Sequence, residues 1–186
     1  MVKRRDSLSR FARASTNQPV EIGEGFSGDG ANAAHINTVL GLRSGPVGTA
    51  FATALAQPTP GHVPFLAVWA PNVPVQPPTL FVNKATIAND RHGTLTWGAA
   101  QAGVAAGVTA HVADRFDATM LDQLVLIVAV WVNPEASDDN GVFVNNREAT
   151  SAALQRGRSA TDTNAESAIA ARRAGRQPHN PYFRPQ

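Results

Sequence analysis

Nine consecutive apolar residues, Leu124 to Val132, form the longest such run in the chain. The run is too short to cross a bilayer as a helix, which takes about 20 residues. It is rich in β-branched residues and shows no polar alternation. Both features predict a strand buried on both faces near the centre of a sheet. A strand of that kind needs neighbouring strands and covering helices, so the rest of the sequence can be read for them.

Alternating or β-branched segments predict strands over Val20–Phe26, Ala33–Leu40, Val63–Ala70, Thr79–Ile87 and Gln123–Val132. Helices are expected over Pro46–Ala56, Ala99–Arg115 and Asn145–Arg156. Pro46 suits a first-turn position. Asn145 and Glu148 have the spacing of a capping box. Pro71 to Pro78 holds four prolines in eight residues and predicts an ordered, irregular connection. Together these segments predict one layered α/β (α+β) domain, with helices packed on a sheet whose strand order periodicity leaves open.

The charge is distributed unevenly. Residues 1–13 carry a net +4, residues 156–186 another +4, and residues 14–155 a net −6. The expected organisation is a basic, disordered extension over 1–18, a folded body over 19–157 and a basic tail over 158–186. Asp162 to Arg173 is rich in helix formers, and the segment from Gln177 onward reads as extended or as a docking strap. Arg4-Arg5 has the look of a twin-arginine export signal, but the polar stretch Ser9 to Gln18 that follows disfavours secretion.

Several chemistries are missing from the sequence. The chain has no cysteine, so disulfides, thiolate metal sites and a cysteine nucleophile are excluded. It contains no P-loop and no G-x-S-x-G. His35, His62, His92, His111 and His179 lie at no metal-ligand spacing to one another, so no metal is expected. Basic residues do not interleave with aromatics in the body, which argues against a nucleic-acid surface.

Three positions stand out. His35 enters a predicted strand and shares a face with Asn37, roughly 6.6 Å away at about 3.3 Å per residue. One small molecule could touch both, although a hydrogen-bonded histidine without a role also fits. Lys84 is the only lysine besides Lys3 and shares a face with Thr86; a mid-strand lysine often only meets water. Gln101 opens a small-residue helix, Ala99-Ala-Gln-Ala-Gly-Val-Ala-Ala-Gly, which permits close approach of a ligand or tight packing on the sheet.

These residues belong to a longer ordered set: Gly23-Glu24, Gly28-Asp29-Gly30, Ala34-His35-Ile36, Thr49-Ala50-Phe51, Leu66-Ala67-Val68, Ala70-Pro71-Asn72, Thr79-Leu80, Asn83-Lys84, Gly98, Ala100-Gln101 and Gly103-Val104-Ala105. Asn146, Glu148-Ala149-Thr150 and Gln155-Arg156 follow. The order and spacing resemble the formaldehyde-activating enzyme family over roughly residues 20–157. The resemblance implies a fold like ribosomal protein S5 domain 2. It implies a cytoplasmic homopentamer with sites between subunits. It also implies condensation of formaldehyde with tetrahydromethanopterin to the methylene carrier plus water, with no metal and no covalent cofactor. By the same resemblance His35 matches the general acid, and Asn37, Leu66, Lys84, Thr86 and Gln101 match pterin-contacting positions.

Position 37 departs from the pattern, since the family typically has His-Ile-Asp where this chain has His35-Ile36-Asn37. The expectation is a His35 lacking the carboxylate neighbour that would favour its charged form. Losing one charge-assisted contact costs about 1.5–3 kcal/mol, roughly ten- to a hundredfold in rate or affinity. Two alternatives follow: a non-catalytic pterin or formaldehyde binder, acting as carrier or sensor, and the same condensation on another carrier such as tetrahydrofolate.

Overall fold

The computed structural model describes residues 20–163 and 166–178. The expected N-terminal extension, most of the C-terminal strap and His179 lie outside the described residues. Five strands form one mixed sheet in the order β1-β2-β7-β6-β3. They are β1 (Glu21–Ser27), β2 (Ala34–Leu42), β3 (Phe65–Leu66), β6 (Thr79–Asn83) and β7 (Leu124–Trp131). β7 runs antiparallel to β2 and parallel to β6, so the apolar run has a strand on each side, as expected. A separate two-stranded ribbon pairs β4 (Val68–Ala70) with β5 (Val73–Pro74).

Strand alternation divides the side chains between two faces. Ile36 and Leu40 of β2, Leu126, Val128 and Val130 of β7, and Phe81 of β6 enter one core. That core is closed by Val104 and Val108 of α3 (Gln101–Ala113) and by Ala149, Ala153 and Leu154 of α5 (Asp139–Thr163). The opposite face is covered at one end by α1 (Pro46–Ala56). There Val47 lies so close to Gly41 that a Cβ at position 41 would sit 2.6 Å from its methyl carbon. The other end of that face carries the odd-numbered side chains of β2, beginning with His35.

The helix α1 has the predicted bounds, with Pro46 in its first turn. Four expectations are corrected. The predicted strand 63–70 splits at Ala67, whose backbone bonds both Thr79 and Val75; the proline-rich segment then folds back as β5. The predicted helix 99–115 is the end of a longer helical path through α2 (Asp90–Thr94) and a π-helical segment, Leu95–Ala100. Asn145 caps nothing: it lies inside α5 and donates to the Asn32 carbonyl at 2.8 Å. The helix begins where Asp138 accepts from the Asn140 amide at 3.0 Å, and Glu148 bonds Ser27 instead. The predicted strand 79–87 ends at Asn83, although the Lys84 amide still bonds Val130 O at 2.7 Å. A short helix, α6 (Glu166–Arg173), forms within the tail segment that favoured one, after α4 (Ala118–Leu121) and α5 have completed the body.

Buried Glu21 ties β1 to the end of α3 through a two-pronged ion pair with Arg115. Arg115 also donates to His111 Nε2 at 3.0 Å. Burial first, then the charges of Arg115 and Arg158, pull the His111 imidazole down to about 4. The unfolded chain therefore takes up a proton at this histidine as pH falls below about 6.5, while the native state resists until about 4. Stability should fall across that window by about 2–3 kcal/mol. Thermal melts between pH 7 and pH 4.5 test this. A His111→Gln variant, which still accepts from Arg115, should show a flatter decline; an equally steep one would assign the loss elsewhere.

Candidate functional site

β1 and β2 pair antiparallel, with Glu24 opposite Asn37 and Phe26 opposite His35. Alternation then puts all four side chains on the face that α1 leaves open. Glu24 Oε1 lies 2.8 Å from His35 Nε2 and accepts from Asn37 Nδ2 at 3.4 Å. The Phe26 ring stacks on the imidazole with centroids 4.1 Å apart. His35 is thus held at one nitrogen and along one ring face, and its side chain keeps 26 % of its exposure.

Lys84 enters from the other side of the sheet centre, just past the end of β6. Its Nζ donates to Asn37 Oδ1 and, at 3.3 Å, to the His35 carbonyl. Among the described residues no carboxylate lies within ion-pair distance of this amine. Burial pulls its pKa down to about 8, against the weaker upward pull of Glu24. The hydrogen bond from His35 is the main influence holding the Glu24 carboxyl below its ordinary value.

The structure therefore brings His35, Asn37 and Lys84 into one cluster. The other three predicted residues lie outside it. Leu66 pairs with Leu80 across β3 and β6 and is 44 % exposed. Thr86 bonds His62 Nε2 at 3.3 Å, and His62 in turn bonds the Asn83 carbonyl at 2.8 Å. Gln101 is buried, and its Oε1 accepts from the Val68 amide at 2.7 Å, fixing the β4 ribbon beside Leu66. The small residues after Gln101 serve packing, but against a helix rather than the sheet. A Cβ at Gly103 would sit 2.4 Å from Phe143 O of α5.

Sequence reasoning missed the role of Glu24. Asn37 does not leave His35 without a carboxylate, because Glu24 supplies one from the neighbouring strand. The signal lay in β1, where Glu21, Gly23 and Gly25 alternate with Ile22, Glu24 and Phe26. The short Gly28-Asp29-Gly30 connection would have set the register across to His35.

Chemically, the cluster holds an acid–base imidazole, a carboxylate that orients it, and a cation beside a neutral amide on an open surface. Among the described residues no group of three or more potential ligands could hold a metal ion. No described helix is long and apolar enough to cross a membrane.

The formaldehyde-activating enzyme (Fae) family model matches residues 22–179. The chain is 43 % identical over 136 residues to the 5,6,7,8-tetrahydromethanopterin hydro-lyase of Methanosarcina barkeri, an alignment covering 73 % of this chain and 76 % of that protein. It is 40 % identical over 137 residues to a bifunctional enzyme Fae/Hps of Methanosphaerula palustris and 39 % over 137 residues to that of Methanosphaera stadtmanae. It spans only 35 % and 34 % of those two longer proteins. On the extent of the family match and the identity to the hydro-lyase, the chain belongs to the formaldehyde-activating enzyme family.

Proposed function

We propose that the protein condenses formaldehyde with tetrahydromethanopterin, giving methylene-tetrahydromethanopterin and water, with His35 as general acid. The observation that carries this reading is the Glu24–His35–Phe26 arrangement: an oriented, part-exposed imidazole beside a cation on a face open to a ligand. A pterin amine adds to formaldehyde to give a carbinolamine. Loss of water gives an iminium, which the second amine traps. Hydroxide is the poor leaving group, and an imidazole can protonate it near neutral pH. That step requires no metal. Holding both nitrogens in place supplies the rest of the rate.

In this reading Asn37 and Lys84 contact the pterin beside His35. Leu66 packs on its ring, and Thr86 and Gln101 complete the site from the edge. With Oε1 committed to Val68, Gln101 offers its amide NH2. The catalytic unit is the 19–157 body, with basic extensions on either side; α5 continues past that body to Thr163. The setting is the cytoplasm. The rate of condensation in stopped flow, with and without protein, tests the activity.

We also propose a homopentamer with the pterin bound between subunits. Trp69, Val73 and Trp97 are 59, 49 and 58 % exposed, and a second copy would cover apolar surface of this kind. Light scattering at micromolar concentration should give a mass near five chains; a monomer would remove the shared cleft.

Glu24 is a positioning residue in this scheme. Glu24→Gln should lower kcat by about tenfold, the loss of a charge-assisted hydrogen bond, and leave KM for the pterin nearly unchanged. It should also move the acid limb of the pH–rate profile. A variant with the wild-type profile would leave Glu24 only a structural part.

A further inference from the structure

Lys84 is placed unlike an ordinary surface lysine. Both of its hydrogen-bond acceptors, Asn37 Oδ1 and the His35 carbonyl, are neutral. The acid on this face, Glu24, is engaged by His35 and Asn37. The titratable groups around the amine are Glu24 on β1, His35 on β2 and His62, which bonds the adjacent Asn83 carbonyl. β7 presents Ala129 and Trp131 to this face, neither of which titrates. Among the described residues, the two neutral acceptors and the weaker upward pull of Glu24 repay the desolvation of an ammonium only in part, which accords with an amine pKa of about 8. At pH 7 about a tenth of such an amine is unprotonated, against well under a thousandth of a free lysine. An unprotonated primary amine bonded to the His35 carbonyl and to Asn37, whose amide shares Glu24 Oε1 with the His35 imidazole, is equipped to attack a carbonyl carbon.

We propose that the amine meeting formaldehyde first is Lys84 rather than the pterin: Lys84 captures formaldehyde covalently, the carbinolamine and its loss of water fall on Nζ, and the carbon then passes to the acceptor amine. The capture needs only this cluster, while the identity of the acceptor rests on the function proposed above. The Nζ lone pair attacks the formaldehyde carbon, forming a C–N bond. The C=O π pair moves to oxygen, which takes the proton lost from Nζ, giving Lys84–NH–CH2OH. The C–O bond then breaks, the Nζ lone pair forms C=N, and His35 protonates the departing hydroxide to water. A pterin amine adds to the resulting iminium carbon and transfers its proton to Nζ. Lys84 is expelled as the free amine, leaving the iminium on the pterin. The second pterin amine closes on that carbon, and its proton returns to His35. One water is released, nothing is oxidised or reduced, and both side chains are regenerated.

The test uses the full chain with formaldehyde and sodium cyanoborohydride at pH 7, without pterin. Reduction converts a lysine iminium to N-methyl-lysine, located by peptide mass mapping. The chain offers only Lys3 and Lys84, and N-α-acetyl-lysine serves as the free reference. Lys84 should be methylated at least about tenfold faster than the reference, the excess shrinking as pH rises and both amines deprotonate. Asn37→Asp, which sets a carboxylate against Nζ, should slow trapping at pH 7 severalfold.

Trapping of Lys84 no faster than the reference, or unchanged in Asn37→Asp, would overturn the capture. Lys84→Arg retaining the wild-type condensation rate would overturn the transfer. Fast trapping by a wild type that does not accelerate the pterin reaction would keep the capture and overturn the acceptor, so the two readings fail separately.

Discussion

His35→Ala should abolish the protein-catalysed part of the condensation, a fall of about 10²-fold or more, as expected for removal of a positioned general acid. The side chain is only partly buried and lies on an open face, so the fold should survive. The stacking on Phe26 is worth about 0.5–1.5 kcal/mol, a small part of the roughly 5–15 kcal/mol that holds a domain together. His35→Gln separates the two ways this position can act. Glutamine can still donate a hydrogen bond to Glu24 but cannot protonate a leaving hydroxide. It should be as slow as the alanine variant. A glutamine variant near the wild-type rate would make His35 a holder of Glu24 rather than a proton donor.

Gly23→Ala and Gly25→Ala should each cost at least about 3 kcal/mol of stability, at the severe end for single substitutions. A Cβ at Gly23 would lie 1.8 Å from Ala153 O, and one at Gly25 would lie 2.0 Å from Ala149 O. Both obstacles are helix backbone and cannot rotate aside, so α5 would have to lift from β1. Ala149, Ala153 and Leu154 would then leave the core. Glu24 sits between the two glycines, so the same shift would draw its carboxylate away from His35. Gly98→Ala is the control, because nothing lies within 4 Å of its added Cβ. Urea unfolding followed by circular dichroism should give a much lower midpoint for the first two variants and a wild-type midpoint for Gly98→Ala. Wild-type midpoints for Gly23→Ala and Gly25→Ala would mean that β1 and α5 can separate without loss.

These two glycines mark where sequence reading reached its limit. The β7 run declared itself because an unbroken apolar, β-branched run marks a strand flanked on both sides in a sheet, although one face stays part-exposed at Ile127, Ala129 and Trp131 instead of being buried as expected. α1 was legible because Pro46 opens it and Gln57-Pro58 closes it. His35 and Asn37 were placed on one face by strand period alone. The closeness of β1 to α5 has no local signature, since a glycine in a strand reads the same whether or not a helix lies on it. The start of α5 was misplaced because Asn145 and Glu148 have capping-box spacing, while Asp138 does the capping earlier. Glu24 was in view as a residue but not as a partner, because its role depends on cross-strand register. The bond from the Val68 amide to Gln101 was out of reach because it joins segments 33 positions apart.

The most direct test of the central claim is the initial rate of methylene-carrier formation from formaldehyde and tetrahydromethanopterin, with tetrahydrofolate measured alongside. The account predicts a protein-dependent rate that saturates with tetrahydromethanopterin and exceeds any effect on tetrahydrofolate. A rate equal to that in buffer, from protein shown by calorimetry to bind the pterin, would contradict it and leave a binding protein on an enzyme scaffold.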